Sequence, residues 1–503
     1  MTYTPTRLPS LPGIRRDGTV LDGQQYSDGE WVRFQRGRPK KMGGYRTILS
    51  SFTGPIRGTH VYSKQMLNII HSFSSSKIET VLVDGNGLGA AIYDRTPAGF
   101  VAQTDYIWQE DTFFDQAGSN VTVLLAHPGR NLSSIDNNIA TPVYYGDVST
   151  AAPLTSIGQS VDGGVVSLQP YLVLYGSNGL VMNSNLNSVT DFTNGDANTA
   201  NVCSSKIVKG LPTRGAGQSP SALLWSLEDV IRMSFIGPPN IFRFDNLSSQ
   251  SSILSSSSVI EYDGLFFWIG VDRFLMFNGA IREVPNQMNT NWFFDHLNFD
   301  NRQKVWALKV PRYGEIWWFY PRDDATECTH AVIYNVRENI WYDAESPRSS
   351  GYFSQVFRFP IMSDSRAESS GSYSIWQHEF GVDQIKGDVQ IAIPSSFTTN
   401  DMGLPTGGAA GEAATGADRW TRVDRVEPDF VQQGPMTVSV LTKEYANSSE
   451  VVAATKEFTS GTEKVDLRCQ GRHFKLKFEN NSQGGNYECG SVLIDLTVGD
   501  ARQ

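Results

Sequence analysis

The sequence predicts an all-β protein: an irregular β-propeller of six to eight blades with an appended C-terminal antiparallel β-domain. Three observations lead there. The 503-residue chain is 19% charged, against roughly 25% in ordinary soluble chains. It carries 46 glycines and 11% aromatic residues, a composition suited to short strands joined by tight turns. Helical periodicity is nearly absent: almost no stretch longer than about 12 residues keeps apolar positions at i, i+3, i+4 and i+7 free of Gly and Pro.

Taken in order, the strand signals form hairpins. Val81-Leu82-Val83, the turn Asp84-Gly85-Asn86-Gly87 and Ala91-Ile92-Tyr93 make the first, with glycines supplying positive φ. Tyr171 to Tyr175, Gly176-Ser177-Asn178-Gly179 and Leu180-Val181-Met182 repeat it. Gly264 to Gly270, a turn around Val271-Asp272-Arg273, and Phe274 to Phe277 give the clearest copy. Glu315 to Tyr320 follows, then Ala331 to Asn335 turning at Val336 to Asn339 into Ile340-Trp341-Tyr342. Between residues 50 and 394, at about 40–45 residues per four-stranded blade, there is room for roughly eight blades, and irregular spacing widens the range to six to eight. Spacing alone leaves two stacked β-sandwiches open.

Four segments result: a basic N-terminal arm (1–48), the propeller-like body with insertions (49–394), a Gly/Ala-rich flexible loop or linker (395–418), and a C-terminal β-domain (419–503). In the last, Met436 to Leu441, His473 to Phe478 and Val492 to Leu496 alternate apolar with polar, as strands with one wet face do. The N-terminus lacks the apolar run of a signal peptide and no window reads as a transmembrane helix. Synthesis and assembly in a reducing cytoplasm are therefore expected, with Cys203, Cys328, Cys469 and Cys489 as free thiols.

Catalytic signatures fail one by one. There is no phosphate-binding GxxxxGK[ST], no HExxH, no close histidine pair for a metal and no GxSxG elbow. His378-Glu379 is a His-carboxylate neighbour pair, but strand alternation sends adjacent side chains to opposite faces, so its role reads as structural. Trp268, Trp317, Trp318, Trp341 and Trp376 stand in strongly apolar strands, which favours core packing over a sugar platform. The sequence predicts no enzyme and no cofactor. A pair of carboxylates for glycan cleavage stays open among 52 acids.

Charge is uneven. The formal net charge is −10, without the basic footprint of a sequence-reading DNA binder. Residues 1–50 hold nine Lys/Arg and four acids, leaving an arm of +5 on a body of −15. Arg33, Arg36, Arg38, Lys40 and Lys41, interleaved with aromatics, are the candidates for an assembly or adaptor contact, by charge pairing with an acidic surface.

Ordered motifs then run along nearly the whole chain. They are Gly13-Ile14, Arg16-Asp17-Gly18, Asp28-Gly29-x-Trp31-Val32-Arg33-Phe34 and Arg38-Pro39-Lys40-Lys41-x-Gly43-Gly44-Tyr45 in the arm. The body adds Asp263-Gly264 through Trp268 and Asp272 to Phe274, then Glu315 through Trp318 to Pro321, Tyr334-Asn335 with Trp341-Tyr342, and His378-Glu379-x-Gly381-x-Asp383. Glu427-Pro428-Asp429-Phe430, Gly434, Gly471-Arg472-x-Phe474 and Gly499 to Arg502 complete the series. Together they resemble the tail nozzle (tail hub, or tail tubular B) proteins of short-tailed bacteriophages.

The resemblance implies a structural virion protein of the tail, six copies forming a ring below the portal and adaptor. Tail fibres or spikes would dock nearby, and double-stranded DNA would leave through the lumen without sequence-specific binding. Because Lys and Arg contacts to phosphate dominate DNA affinity, part of the −15 body is expected to face that lumen. Loops 395–418 and 246–258 are the candidate gates. A tail-associated glycan-binding or glycan-cleaving propeller is the alternative.

Overall fold

The computed structural model describes residues 5–19, 21–64, 67–85, 87–102, 107–129, 144–146, 151–154, 157–159, 161–213, 220–355, 357–403 and 420–499. Six consecutive four-stranded antiparallel meanders occupy 56–94, 109–153, 164–201, 207–248, 260–283 and 306–345. A seventh sheet starts with Arg348–Tyr352, Ile361–Asp364 and Tyr373–His378, and its fourth strand is Tyr45–Phe52, from the other end of the chain. First strands of neighbouring blades touch around a ring, with the turn Ser256–Ser258, which leads into blade 5, touching the first strands of blades 4 and 6, and Arg348–Tyr352 meets Ile56–Lys64 to close it. At the closure the Thr59 and Ser350 hydroxyls hydrogen-bond at 2.8 Å. The fold is a β-propeller of seven blades.

The core explains why few helices are needed. Apolar side chains fall into clusters that sit between adjacent blades. Ile70 and Val81 meet Ile361 and Ile375 between blades 1 and 7, Phe73 meets Trp108 between blades 1 and 2, and Trp225 meets Trp268 between blades 4 and 5. Phe274 meets Trp318 and Trp341 between blades 5 and 6. Each sheet therefore buries both faces on its neighbours, which is why its strands read as continuous apolar runs.

Two sequence boundaries are corrected. The N-terminal segment is no separate arm: Pro5–Arg7 pairs with Leu493–Val498, Asp28–Glu30 with Ser395–Thr398, and Arg38–Lys41 with Asn486–Cys489. All three sheets of the C-terminal domain thus contain a strand from residues 5–41. The domain's own segments leave sheet edges that need partners, and the N-terminal segment supplies them. The expected linker is also partly strand, since Ser395–Thr398 lies inside a five-stranded sheet between Asp28–Glu30 and His473–Asn480. The remainder of that run, 404–418, and the closing motif residues Asp500 to Arg502 lie outside the described residues. One cluster joins arm, blade 6 and C-terminal domain, with Val32, Phe34, Trp317, Phe319, Val438 and Phe478 in continuous contact.

Candidate functional site

The N-terminal segment meets blades 6 and 7 at a buried ion triad. Val32–Gln35 carries Arg33 inward, the strand Glu315–Tyr320 of blade 6 begins with Glu315, and Glu379 directly follows Tyr373–His378, the third strand of blade 7, with φ of 57°. The Arg33 guanidinium donates from Nε and Nη2 to Glu315 at 2.9 and 3.1 Å, and from Nη1 and Nη2 to Glu379 at 2.7 and 2.5 Å. Tyr313 lies beneath it at 3.7 Å. Glu315 also accepts from the Tyr342 hydroxyl at 2.7 Å and Trp317 Nε1 at 2.8 Å, and Glu379 accepts from the Gly43 amide at 3.2 Å. Burial opposes the Arg33 charge, but the two carboxylates outweigh it and hold the guanidinium protonated well beyond its ordinary range. Side-chain exposures of 1%, 0% and 5% make this a sealed, satisfied cluster.

Beside it, Lys41 donates to Asn480 Oδ1 at 3.1 Å and to the Gly485 carbonyl at 3.0 Å. Burial pushes its ammonium down to about 8, partly opposed by Asp383. Arg33 and Lys41 are 1% and 2% exposed. Two of the five candidate assembly residues are therefore corrected: they tie the chain to itself and have no surface for a partner. The physical reason is that the hairpin is covered on both faces: Arg33 pairs across it with Lys40 and Lys41 with Val32, so the two cations point to opposite sides and each is buried there. Arg36 and Arg38 are exposed at the tip of the hairpin, where Glu338 accepts from the amides of Arg36 and Gly37 at 2.6 and 3.1 Å. Lys40 is half-buried and, with Arg38, faces Glu488 at 3.5 and 3.4 Å.

The remaining motif residues are architectural. Trp341 stacks on Tyr334 at 4.5 Å and on Trp318 at 6.0 Å, and Phe274 lies against it at 4.7 Å. Trp268 donates to the Ser252 carbonyl at 3.2 Å, and Gly264, at φ 81°, turns blade 5 with its amide on Glu261. Asp272 stays exposed in the next turn, 3.4 Å from Arg273. His378 Nε2 accepts from Arg348 Nε at 3.0 Å, while Arg348 pairs with Asp364 at 2.6 Å. Burial, and then the Arg348 cation, hold His378 neutral well below its usual range. His378 and Glu379 serve different contacts. Trp268, Trp317, Trp318, Trp341 and Trp376 are all core residues, at most 3% exposed.

Sequence reasoning missed Arg348, Asp364 and Glu338. Arg348 and Asp364 read as loop charges because their apolar flanks are short, whereas Glu338 sits in a recognised turn whose partner lies three hundred residues away. The serine-rich candidate gate, 246–258, is corrected: Ser251, Ser255 and Ser258 are buried, Ser255 Oγ donates to the Val305 carbonyl, and Trp318 Nε1 donates to the Ser258 carbonyl at 2.9 Å. A loop so wedged between blades is part of the packing.

Among the described residues no group of three His, Cys, Asp or Glu is placed to hold a metal ion, and no helix is long and apolar enough to cross a membrane. A cleft of about 550 Å³ between blades 4 and 5 has one carboxylate in its lining, Glu283. At one mouth of the propeller axis, where Gln109 Nε2 donates to the Gly163 and Val208 carbonyls, the cavity is about 10 Å³.

No protein-family model matches the chain, and no curated protein is significantly similar to it. Among solved structures it is similar to BBS1N in complex with ARL6DN, in crystals soaked with lead or with mercury. Both matches have a TM-score of 0.41 and 8% identity over 67% of this chain, and cover 97% and 96% of those chains.

Proposed function

We propose that the chain is a structural protein of a short-tailed bacteriophage virion, a tail nozzle or hub subunit. Six copies form a ring below the portal and adaptor, bordered by fibres or spikes. The supporting observation is the convergence at Arg33. Three blocks that carry the resemblance, around residues 31–34, 315–318 and 378–379, are far apart in sequence and meet in one sealed triad. Their shared pattern thus has a mechanical meaning: it locks the N-terminal segment, the propeller and the C-terminal domain into one body, as a part that bears DNA pressure requires.

DNA would pass between copies, along the lumen of the ring. The cavity of about 10 Å³ beside Gln109 and Val208 holds at most about one water, far less than a duplex needs. An acidic lumen would let the duplex slide, since phosphate affinity comes from cations. The experiment is negative-stain imaging of purified protein and of particles lacking it: sixfold rings, and heads that lose DNA, are expected. Virions that assemble, retain and eject DNA normally without the protein would overturn the reading.

A further inference from the structure

Blade 6 is electrically polarised along its strands. Trp306–Val310 runs into a turn holding Arg312, Glu315–Tyr320 returns to a loop holding Asp323 and Asp324, and His330–Asn335 runs back to a turn holding Arg337. Chain reversal alone puts both arginines at one end and both aspartates at the other, separated by a strand length of about 17–20 Å.

Other elements extend each end. At the basic end, the Phe359 ring lies 5.3 Å from both Arg312 and Arg358, and Arg337 Nη1 donates to the Arg312 carbonyl at 3.2 Å. The Arg36 and Gly37 amides on Glu338 bring the hairpin tip, which carries Arg36 and Arg38, to the turn that holds Arg337. All five arginines are exposed. Among the described residues, Arg38 alone of the five has a carboxylate within 4.0 Å, that of Glu488. The nearby acids are Glu338, occupied by the hairpin amides, and Asp263 in the turn of blade 5. At the acidic end, the Asp323 amide donates to the His296 carbonyl at 2.7 Å and Asn298 Nδ2 to the Ala325 carbonyl at 3.2 Å. These bonds hold Asp295 and Asp300, both exposed, beside Asp323 and Asp324. Among the described residues the cations there are Arg322, on Asp323 at 3.3 Å, Arg302, over Phe299, and four that are already paired: Lys304 and Arg57 on Glu327 at 2.9 and 2.7 Å, Arg16 on Asp343 at 3.2 Å and Arg366 on Glu345 at 3.6 Å.

We propose that the arginine ridge is an interaction surface for a second copy of this chain, and that it docks on that copy's acidic end of blade 6. Like-charged guanidiniums gathered on one end, four of the five with no carboxylate within 4.0 Å among the described residues, repel one another, and an acidic surface relieves this. The chain carries that surface itself, on a different face. A contact between two different faces is heterologous, so it repeats from copy to copy and closes into a ring or runs on as a filament. The tail-ring reading enters only in the closure; the pairing rests on the two charged ends.

Sedimentation velocity of the full chain between 50 and 500 mM NaCl tests it. Oligomers are expected at low salt and dissociation at high salt. The triple variant Arg36→Glu/Arg312→Glu/Arg358→Glu leaves the buried Arg33 and the turn-bracing Arg337 in place. It should weaken self-association at least tenfold, as should Asp295→Lys/Asp300→Lys/Asp324→Lys. Mixing the two variants should restore association, which misfolded variants would not do. A wild type that is monomeric at every salt, or oligomers that survive both triple variants, would overturn the proposal. So would loss of binding to a DNA duplex in the arginine variant with self-association intact. Salt-sensitive oligomers without sixfold closure would sink the ring reading and keep the pairing; sixfold rings kept by both variants would do the reverse.

Discussion

Replacing Arg33 by Met keeps most of the side-chain volume and removes the guanidinium from the centre of the joint. Four charge-assisted hydrogen bonds of 2.5–3.1 Å disappear. Glu315 keeps two donors, the Tyr342 hydroxyl and Trp317 Nε1, whereas Glu379 keeps the Gly43 amide. The loss therefore falls mainly on Glu379. Removing one partner of a buried ion pair costs about 3–5 kcal/mol because the other charge is left uncompensated, and about 4 kcal/mol is expected here at pH 7. Adding Glu379→Gln removes the stranded charge and should recover at least about 1 kcal/mol, a coupling that distant, independent sites do not show. Urea unfolding at pH 7, followed by tryptophan fluorescence, measures both quantities. An Arg33→Met variant within about 1 kcal/mol of wild type would refute the idea that the joint depends on this triad.

Three further outcomes follow from particular residues. Burial pushes Glu110 up to about 7, with the Lys209 cation as the largest opposing influence. Its folded-state value is raised, so its favourable contribution is present in acid and lost as pH rises through 7. Glu110→Gln should match wild type near pH 5 and exceed it by about 1–2 kcal/mol at pH 8, less than the full shift because the side chain is partly solvated; equal thermal midpoints at both pH values would count against this. A Cβ at Gly44 would lie 2.2 Å from the Asp383 carbonyl oxygen, so Gly44→Ala should cost about 2 kcal/mol or more, read as a lowered thermal midpoint. Cys328 and Cys489 are buried, and burial raises both thiols far above their ordinary range. Native protein should therefore expose at most Cys203 and Cys469 to a thiol reagent, with all four reacting in denaturant.

The hairpins were legible because their information is local. A run such as Leu265–Ile269 next to Phe274–Phe277 needs only β-rich residues and a glycine turn, and those strands stand where the residues place them. Blade closure was not legible. Tyr45–Phe52 looks like a continuation of the arm, and its partner Tyr373–His378 lies more than three hundred residues away; pairing at that distance leaves no mark in spacing. Arg33 misled for a related reason. A lone arginine between aromatics reads as exposed, and both its carboxylates are supplied by remote segments. One signal was available: Glu315 opens a strand that is otherwise wholly apolar and buried, and a carboxylate in such a place needs a cation.

The charge asymmetry of the sequence changes meaning once the residues are placed. Much of the arm's surplus is spent inside the chain: Arg33 and Lys41 are sealed, Arg16 bridges Asp28 and Asp343, and Arg15 pairs with Asp22. What reaches the surface is the hairpin tip, Arg36 and Arg38. It gains force from Arg312, Arg337 and Arg358, which belong to the body that is −15 overall. A basic surface thus arises on the acidic part of the chain because turns at one end of blades 6 and 7 gather arginines, while the loops at the opposite end of blade 6 gather aspartates. Net charge per segment could not reveal that, since it sums over both ends of the same strands. The direction in which successive strands run decides where each charge emerges, and so decides which faces of two copies attract.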